Sequence, residues 1–320
     1  MDLLSDILSA IQIESTFFGR QTLTAPWGYE IPHTRTVHFL SVTSGNCWLL
    51  RPAQTPQLLE NGDFVMFTRP TTSVFASAPD VSIEPLVDLI RAHYSPDYSI
   101  DWRNVPPFDL HHGGGGRITE LVGGAIDLPA DTGAMLINSL PEFIYLNNAD
   151  AQTRRWLQPL MNLIAEEIQM AAANAPGYAA ISKRLAELLF LRIIQVHWVQ
   201  NPTETSGWLR GLSDARIAKV LQAMHSTPQH SWTLAILAEV AGMSRSALAE
   251  RFAHLIGEPP IQYLTRWRMH LAALQFTNGE KRTAIVAESV GYQSEIAFAK
   301  TFKRFLGVSP AAYRRAALRH

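Results

Sequence analysis

Gly242-Met243-Ser244-Arg245-Ser246-Ala247-Leu248-Ala249-Glu250-Arg251-Phe252 is answered further along the chain by Gly291-Tyr292-Gln293-Ser294-Glu295-Ile296-Ala297-Phe298-Ala299-Lys300-Thr301-Phe302. The echo extends in both directions. Leu248, Phe252, Gly257, Pro260 and Tyr263 recur fifty residues later as Phe298, Phe302, Gly307, Pro310 and Tyr313. Ala238 and Gly242 recur forty-nine residues later as Ala287 and Gly291, so the second turn is one residue longer. Each copy has the grammar of a helix-turn-helix. In the first, a short helix over Leu234 to Val240 carries the small Ala238, suited to close helix crossing. Gly242 ends it in the left-handed region, and Ser244 can accept a hydrogen bond from an N–H at the start of the next helix. Leu248 and Phe252, four apart, anchor that second helix and leave Arg245, Ser246, Ala249 and Glu250 outward. The second copy exposes Glu295, Ile296, Ala299 and Lys300 in the same way.

A helix presented like this fits the major groove of B-DNA, about 12 Å wide. Two units bridged by a helix from Pro260 to about Gln275 can reach successive grooves on one face of the duplex. Charge points the same way. The 320 residues carry a net charge of only −1, which by itself argues against a polyanion partner. That value is a cancellation: Ser206 to His320 holds fifteen Lys/Arg against seven Asp/Glu, a net of +8, and Met1 to Thr205 holds twelve against twenty-one, a net of −9. Arg266, Arg268, Lys281, Arg282, Lys303, Arg304, Arg314 and Arg315 are candidates for phosphate contacts, which position a protein on DNA without reading its sequence. A helical bundle with a basic face would account for one copy of the motif. Two copies in register on the basic half of the chain fit it poorly.

The run from Trp232 to Arg315 resembles the DNA-binding domain of the AraC/XylS family of bacterial transcription regulators. Gly291 to Arg304, followed by Gly307-Val308-Ser309-Pro310 and Tyr313-Arg314, carries that resemblance. Gly207-Trp208-Leu209, Asp214, His225, Ser231-Trp232-Thr233 and Ala25-Pro26-Trp27-Gly28 are similar to the subgroup with a cupin-type N-terminal domain. The resemblance implies a regulator that binds promoter DNA and recruits or blocks RNA polymerase. The single cysteine, the acidic start and the lack of a membrane-spanning stretch point to the cytoplasm. The helices between Thr153 and Gln200 point to a dimer, and the cupin-type barrel to a small-molecule effector. The resemblance maps recognition onto Ser246, Ala249 and Glu250 in the first unit and Glu295, Ile296, Ala299 and Lys300 in the second. Glu250 stands where many members carry an arginine suited to guanine, so specificity there is not transferable. A carboxylate can accept from cytosine N4 but repels phosphate.

The acidic part reads differently. Val37 to Val42, Cys47 to Arg51, Asp63 to Thr68 and Thr119 to Val122 look like strands, separated by turns such as Ser44-Gly45-Asn46 and Asn61-Gly62-Asp63. A small antiparallel barrel is the expected fold. Ser95 to Gly116 reads as a long loop. Thr153 to Ala173 and Ala179 to Gln200 carry apolar residues at helical spacing and are broken by Ala175-Pro176-Gly177. They close the barrel or, the reading preferred here, pair with a second subunit. The expected class is α+β: a cupin-like sensor and dimerisation domain at 1–200, a linker at 201–210 and an all-α double helix-turn-helix domain at 211–320. Leu3, Leu4, Ile7, Leu8 and Ile11 point to a short docking helix, and the acidic start Met1-Asp2-Leu3-Leu4-Ser5-Asp6 does not read as a signal peptide.

Chemistry in the barrel is weakly marked. The cupin resemblance implies a histidine-rich metal site, with His33, His38, His111 and His112 as candidates, yet Phe75 stands near the place expected for a ligand histidine. The expectation is no cofactor. A metal-dependent cupin enzyme with a helical DNA-binding appendage is the alternative. His111-His112-Gly113-Gly114-Gly115-Gly116 lacks the Gly-Lys-Ser/Thr of a phosphate loop. The single Cys47 sits in a strand-like run and reads as a buried inert thiol. Gly123 stands where relatives often carry a cysteine. With no nucleophile–base constellation evident, the chain reads as a sensor and not an enzyme. Trp27, His38, Phe39, Trp48, Phe64, Phe67, Phe75, His111 and His112 are candidate liners of an effector pocket.

Overall fold

The computed structural model describes residues 13, 15–32, 36–94, 107–128, 133, 137–172, 176–201, 207–279 and 282–317. Two compact units emerge. One comprises Ile13–Pro129 and Pro141–Gln200; the other comprises Met1–Gln12, Ala130–Leu140 and Asn201–His320.

The first unit is built on two sheets. Strands β1 (Ser15–Thr24), β3 (Val37–Ser44), β6 (Phe64–Phe67), β9 (Phe108–Gly113), β10 (Ile118–Asp127) and β11 (Phe143–Leu146) form one sheet in the order β11-β6-β3-β10-β1-β9. Strands β2 (Gly28–Ile31), β4 (Asn46–Leu50), β5 (Gln57–Glu60), β7 (Ser73–Ala76) and β8 (Glu84–Pro85) form the second, in the order β5-β4-β7-β2-β8. Pairing is antiparallel except for β1 with β9 and β2 with β8, which are parallel. The sheets face each other across a core in which alternate residues point inward: Leu40 and Val42 on β3, Val65 and Phe67 on β6, Cys47 and Leu49 on β4, with Tyr29 and Phe75. This period of two is what half-buried strands require.

The six-stranded sheet is buried on its other face as well. Helices α2 (Ala151–Ala172) and α3 (Tyr178–Gln200) pack on each other and on β1. Phe39 stacks on Phe64 with ring centroids 5.7 Å apart, on the face opposite the inter-sheet core. Six consecutive residues of β3, Val37 to Val42, are consequently all buried. A short helix, α1 (Leu86–Tyr94), follows β8 and buries Leu86, Leu89 and Ile90 against the same core. Asp63 fixes the turn between β5 and β6: its carboxylate accepts from Glu60 N, Tyr145 Oη and Asn148 N.

Several strands lie where the sequence offers little signal. β9 occupies part of the segment read as loop, whose residues 95–106 lie outside the described ones, as does the proposed docking helix. Glycine amides in the turn after β9 are satisfied internally: Gly114 N donates to Thr24 O, Gly115 N to Thr24 Oγ1 and Gly116 N to Ala25 O. The Gly-rich run thus closes a turn and offers no cradle for phosphate.

The second unit is helical: α4 (Gly207–Leu212), α5 (Ala215–Ser226), α6 (Leu234–Ala241), α7 (Arg245–Ile256), α8 (Pro260–Thr277), α9 (Thr283–Ser289), α10 (Glu295–Leu306) and α11 (Pro310–Ala317). Helix α4 begins within the stretch read as linker and runs past it, with Trp208 and Leu209 buried. No described helix is long and apolar enough to cross a membrane.

Candidate nucleic-acid interface

The two helix-turn-helix copies are α6–α7 and α9–α10. Helix α6 starts at Thr233, whose side chain accepts from Ile236 N, and ends at Gly242 with φ +61°. Gly242 N donates to Glu239 O and Met243 N to Ala238 O. The equivalent bonds recur in the second copy, Gly291 N to Glu288 O and Tyr292 N to Ala287 O, with Gly291 at φ +84°. Both first helices end in this reciprocal C-terminal cap. After it, one residue (Met243) precedes the N-cap serine in the first copy and two (Tyr292, Gln293) in the second, so the extra residue lies in the turn. Ser244 then accepts from Ala247 N and Ser294 from Ala297 N, opening α7 and α10.

Each second helix is pinned by its two anchors. Leu248 and Phe252 are fully buried in α7, as are Phe298 and Phe302 in α10. The following helices supply an aromatic partner at equivalent positions. Phe252 meets Tyr263 edge-on at 5.7 Å, and Phe302 meets Tyr313 edge-on at 5.6 Å. With those faces buried, Arg245, Ser246 and Glu250 of α7 are exposed and Ala249 is half-buried. In α10, Glu295, Ile296 and Lys300 are exposed and Ala299 is half-buried, with Lys303 and Arg304 exposed beyond them. The residues singled out on the sequence for DNA contact belong to this part of the chain; Lys281 lies outside the described residues, and Arg266 and Arg268 are held by internal partners. Arg266 Nε donates to Glu258 Oε1 at 2.9 Å, and its Nη2 bonds the same oxygen. Arg268 donates to Pro228 O and His230 O, both at 2.7 Å. These two arginines fasten α8 to its neighbours, a role their spacing in sequence could not disclose.

A further residue positions the first reading helix and went unnoticed as such. Asp214 caps α5, accepting from Arg216 N and Ile217 N, and also takes the Arg251 guanidinium of α7. Burial works to raise its carboxyl, but Arg251 and the two backbone donors together hold it below the usual carboxylate value. Behind α7, Gly211 of α4 sits so close to Ile256 that a methyl group there would come within 2.4 Å of Ile256 Cδ1.

The first unit holds a pocket lined by Phe17, Gln21, His38, Phe39, Leu86 and Phe108, with Gly123, Gly124 and Ala125. It is a cleft open to solvent: the space free of atoms there is about 520 Å³ with the solvent at its mouth counted, and the enclosed part is much smaller. Gly123 and Gly124 of β10 form part of its wall, paired with Gly19 and Phe18 of β1. Of the proposed liners only His38 and Phe39 take part. Trp27, Phe67 and Phe75 pack in the core between the sheets, Phe64 lies on the opposite face of its sheet, and Trp48 is half-buried beside Cys47. His38 stacks on Phe67 at 4.7 Å, and burial lowers it to about 4, so it is neutral near pH 7. Gln21 is buried, and its Oε1 has no hydrogen-bond partner among the described residues. The described lining carries no charged side chain.

The histidines proposed as metal ligands do not form a set. His33 lies outside the described residues, His111 is exposed beside Asp109, and His112 lies 3.7 Å from Glu84. Among the described residues no three His, Cys, Asp or Glu side chains converge as a metal site would need. Burial pushes the Cys47 thiol up to about 12, which leaves it unreactive.

Comparison with known proteins agrees with this geometry. Residues 2–199 match the family described as Cupin, and residues 237–316 match the family described as Helix-turn-helix domain. The chain is 31% identical over 319 residues to a protein of Streptomyces lividans named as an AraC-like transcription regulator, covering 98% of each. A protein of the same name from Streptomyces antibioticus is 30% identical over 318 residues, covering 98% of this chain and 99% of that one. Among solved structures, the DNA-binding domain of AdpA in complex with a target DNA is 33% identical. It covers 31% of this chain and 89% of its own, with a TM-score of 0.30.

Proposed function

The chain belongs to the AraC-like transcription regulators with a cupin domain ahead of the helix-turn-helix domain, and from there we propose how it works. It acts in the cytoplasm as a homodimer on promoter DNA, recruiting or excluding RNA polymerase. A small uncharged effector in the pocket of the first unit shifts the population of DNA-competent dimers. Support for DNA as the partner rests on one observation: two reading helices in register, each with its apolar face buried and its polar face exposed, on the basic part of the chain.

Dimerisation is supported by apolar residues that remain exposed although α2 and α3 pack on the sheet. Leu163 and Met170 lie seven apart on α2, and Ile181 and Leu188 lie seven apart on α3, with Val199 eleven residues beyond. That spacing draws one stripe along each helix. The uncharged effector is supported by the lining, where an ionised ligand would lose its hydration without gaining a described counter-charge.

A mobility-shift assay of the full-length protein against DNA upstream of its own gene tests the reading. It predicts specific retention that weakens as salt rises. Absence of specific binding at low salt by the folded protein contradicts it.

A further inference from the structure

The two reading helices share one scaffold and carry inverted chemistry. At equivalent positions α7 has Arg245, Ser246, Ala249 and Glu250, and α10 has Glu295, Ile296, Ala299 and Lys300. A cation at the start and an anion one turn on in the first become an anion and a cation in the second. Between them a hydroxyl becomes a branched alkane.

We propose that Ile296 reads the 5-methyl group of a thymine, and that the two units therefore recognise unlike base-pair elements. This rests on the DNA-binding reading above. Ile296 is 83% exposed, ahead of Val199 at 68% among the exposed large apolar side chains. A lone exposed apolar residue on an arbitrary surface needs no explanation. Here the repeat supplies the control: Ser246 fills the same position in the first copy and is likewise exposed, so the fold does not require an apolar residue there. Helix formation does not favour it either, since β-branching restricts χ1.

Its surroundings select the occupant. Glu295 precedes it in the first turn of α10, the turn capped by Ser294. A carboxylate held against a phosphate would be repelled, so this turn belongs at the base edges. Lys300, Lys303 and Arg304, one to two turns on, carry the positive charge for the backbone. At the base edges of the major groove the thymine methyl is the largest apolar group on offer; beside it stand hydrogen-bond donors and acceptors and the much smaller C5–H of cytosine. An isoleucine opposite the donors and acceptors would leave them dehydrated and unpaired.

The test uses full-length protein and a binding site selected from random duplex DNA. Each thymine in the site is replaced in turn by deoxyuridine, which removes only the methyl group. One position is expected to weaken binding about three- to fourfold, the effect of one buried methyl. In Ile296→Ala the same replacement should change affinity by less than a factor of about 1.5, with other positions unaltered. Site selection with the wild-type protein should also return two different sequence elements. A flat uracil scan of the wild type overturns the proposal and would assign Ile296 to a protein contact. A sensitive thymine that stays sensitive in Ile296→Ala overturns it too. Failure to select any sequence would instead remove the DNA-binding reading on which it rests.

Discussion

The first helix-turn-helix is enclosed and the second is open. Tyr263, after α7, is fully buried and its hydroxyl lies 2.8 Å from His225 Nε2, because α5 covers that side. Tyr313, at the same repeat position after α10, is half-buried near the end of the chain. The first core contains a histidine pair around Trp267, with ring centroids of His225 and His270 at 4.1 and 5.0 Å. The second is built from Phe276, Phe298, Phe302 and aliphatic residues. One backbone pattern therefore tolerates two interiors and two reading faces. What it holds constant are the caps and the spacing of the anchors.

The cap glycines offer the largest separation of the two copies. At Gly242 an added methyl group meets open space, so Gly242→Ala carries only the left-handed backbone cost, about 1 kcal/mol. At Gly291 the same methyl would lie 2.6 Å from Gln229 O. Gly291→Ala should therefore lose about 3 kcal/mol, backbone cost and overpacking combined. Chemical denaturation of both variants checks the ordering, and equal losses would break the comparison.

Acid should loosen the first copy before the second. His225 is lowered to about 3 by burial and then by the neighbouring His270, whereas an unfolded histidine titrates near 6.5. The unfolded chain binds the proton first, so stability is complete above about pH 6.5 and falls as pH drops towards 3. By pH 5 the loss attributable to His225 is about 2 kcal/mol. Hydrogen exchange at pH 7 and pH 5, corrected for intrinsic rates, should report protection falling around Tyr263 and Trp267 more than around Phe298 and Phe302. His225→Phe should remove most of that difference.

The smallest effect concerns the charges at the equivalent positions 250 and 300. Lys300→Ala should weaken DNA binding and reduce the slope of log affinity against log salt by about 1. Glu250→Ala should leave that slope unchanged, since no phosphate contact is lost. An unchanged slope in Lys300→Ala would mean that this lysine meets no phosphate.

How much of this was legible beforehand follows from how local each feature is. Caps, anchors and the extra turn residue depend on contacts a few residues apart, and Gly242, Ser244, Leu248 and their counterparts disclosed them. The strand β1, Ser15-Thr16-Phe17-Phe18-Gly19-Arg20-Gln21-Thr22-Leu23-Thr24, did not read as one, because its pairing with β10, more than ninety residues away, decides its state. The pocket was hidden for a related reason: its wall is assembled from β1, β3, β9, β10 and α1, far apart in sequence, so a search for aromatic liners pointed at the packed core. Arg266 and Arg268 look like phosphate contacts until Glu258, Pro228 and His230 are brought beside them. Helices α2 and α3 cover the sheet, and exposed apolar residues remain on both.

The central claim is that the two copies enter successive major grooves and read different elements. Methylation and uracil interference mapped along one selected site, with full-length protein, tests it most directly. Two interference clusters in the major groove, about one helical turn apart and of unlike sequence, are predicted. A single cluster, or two clusters of the same sequence, would contradict the account.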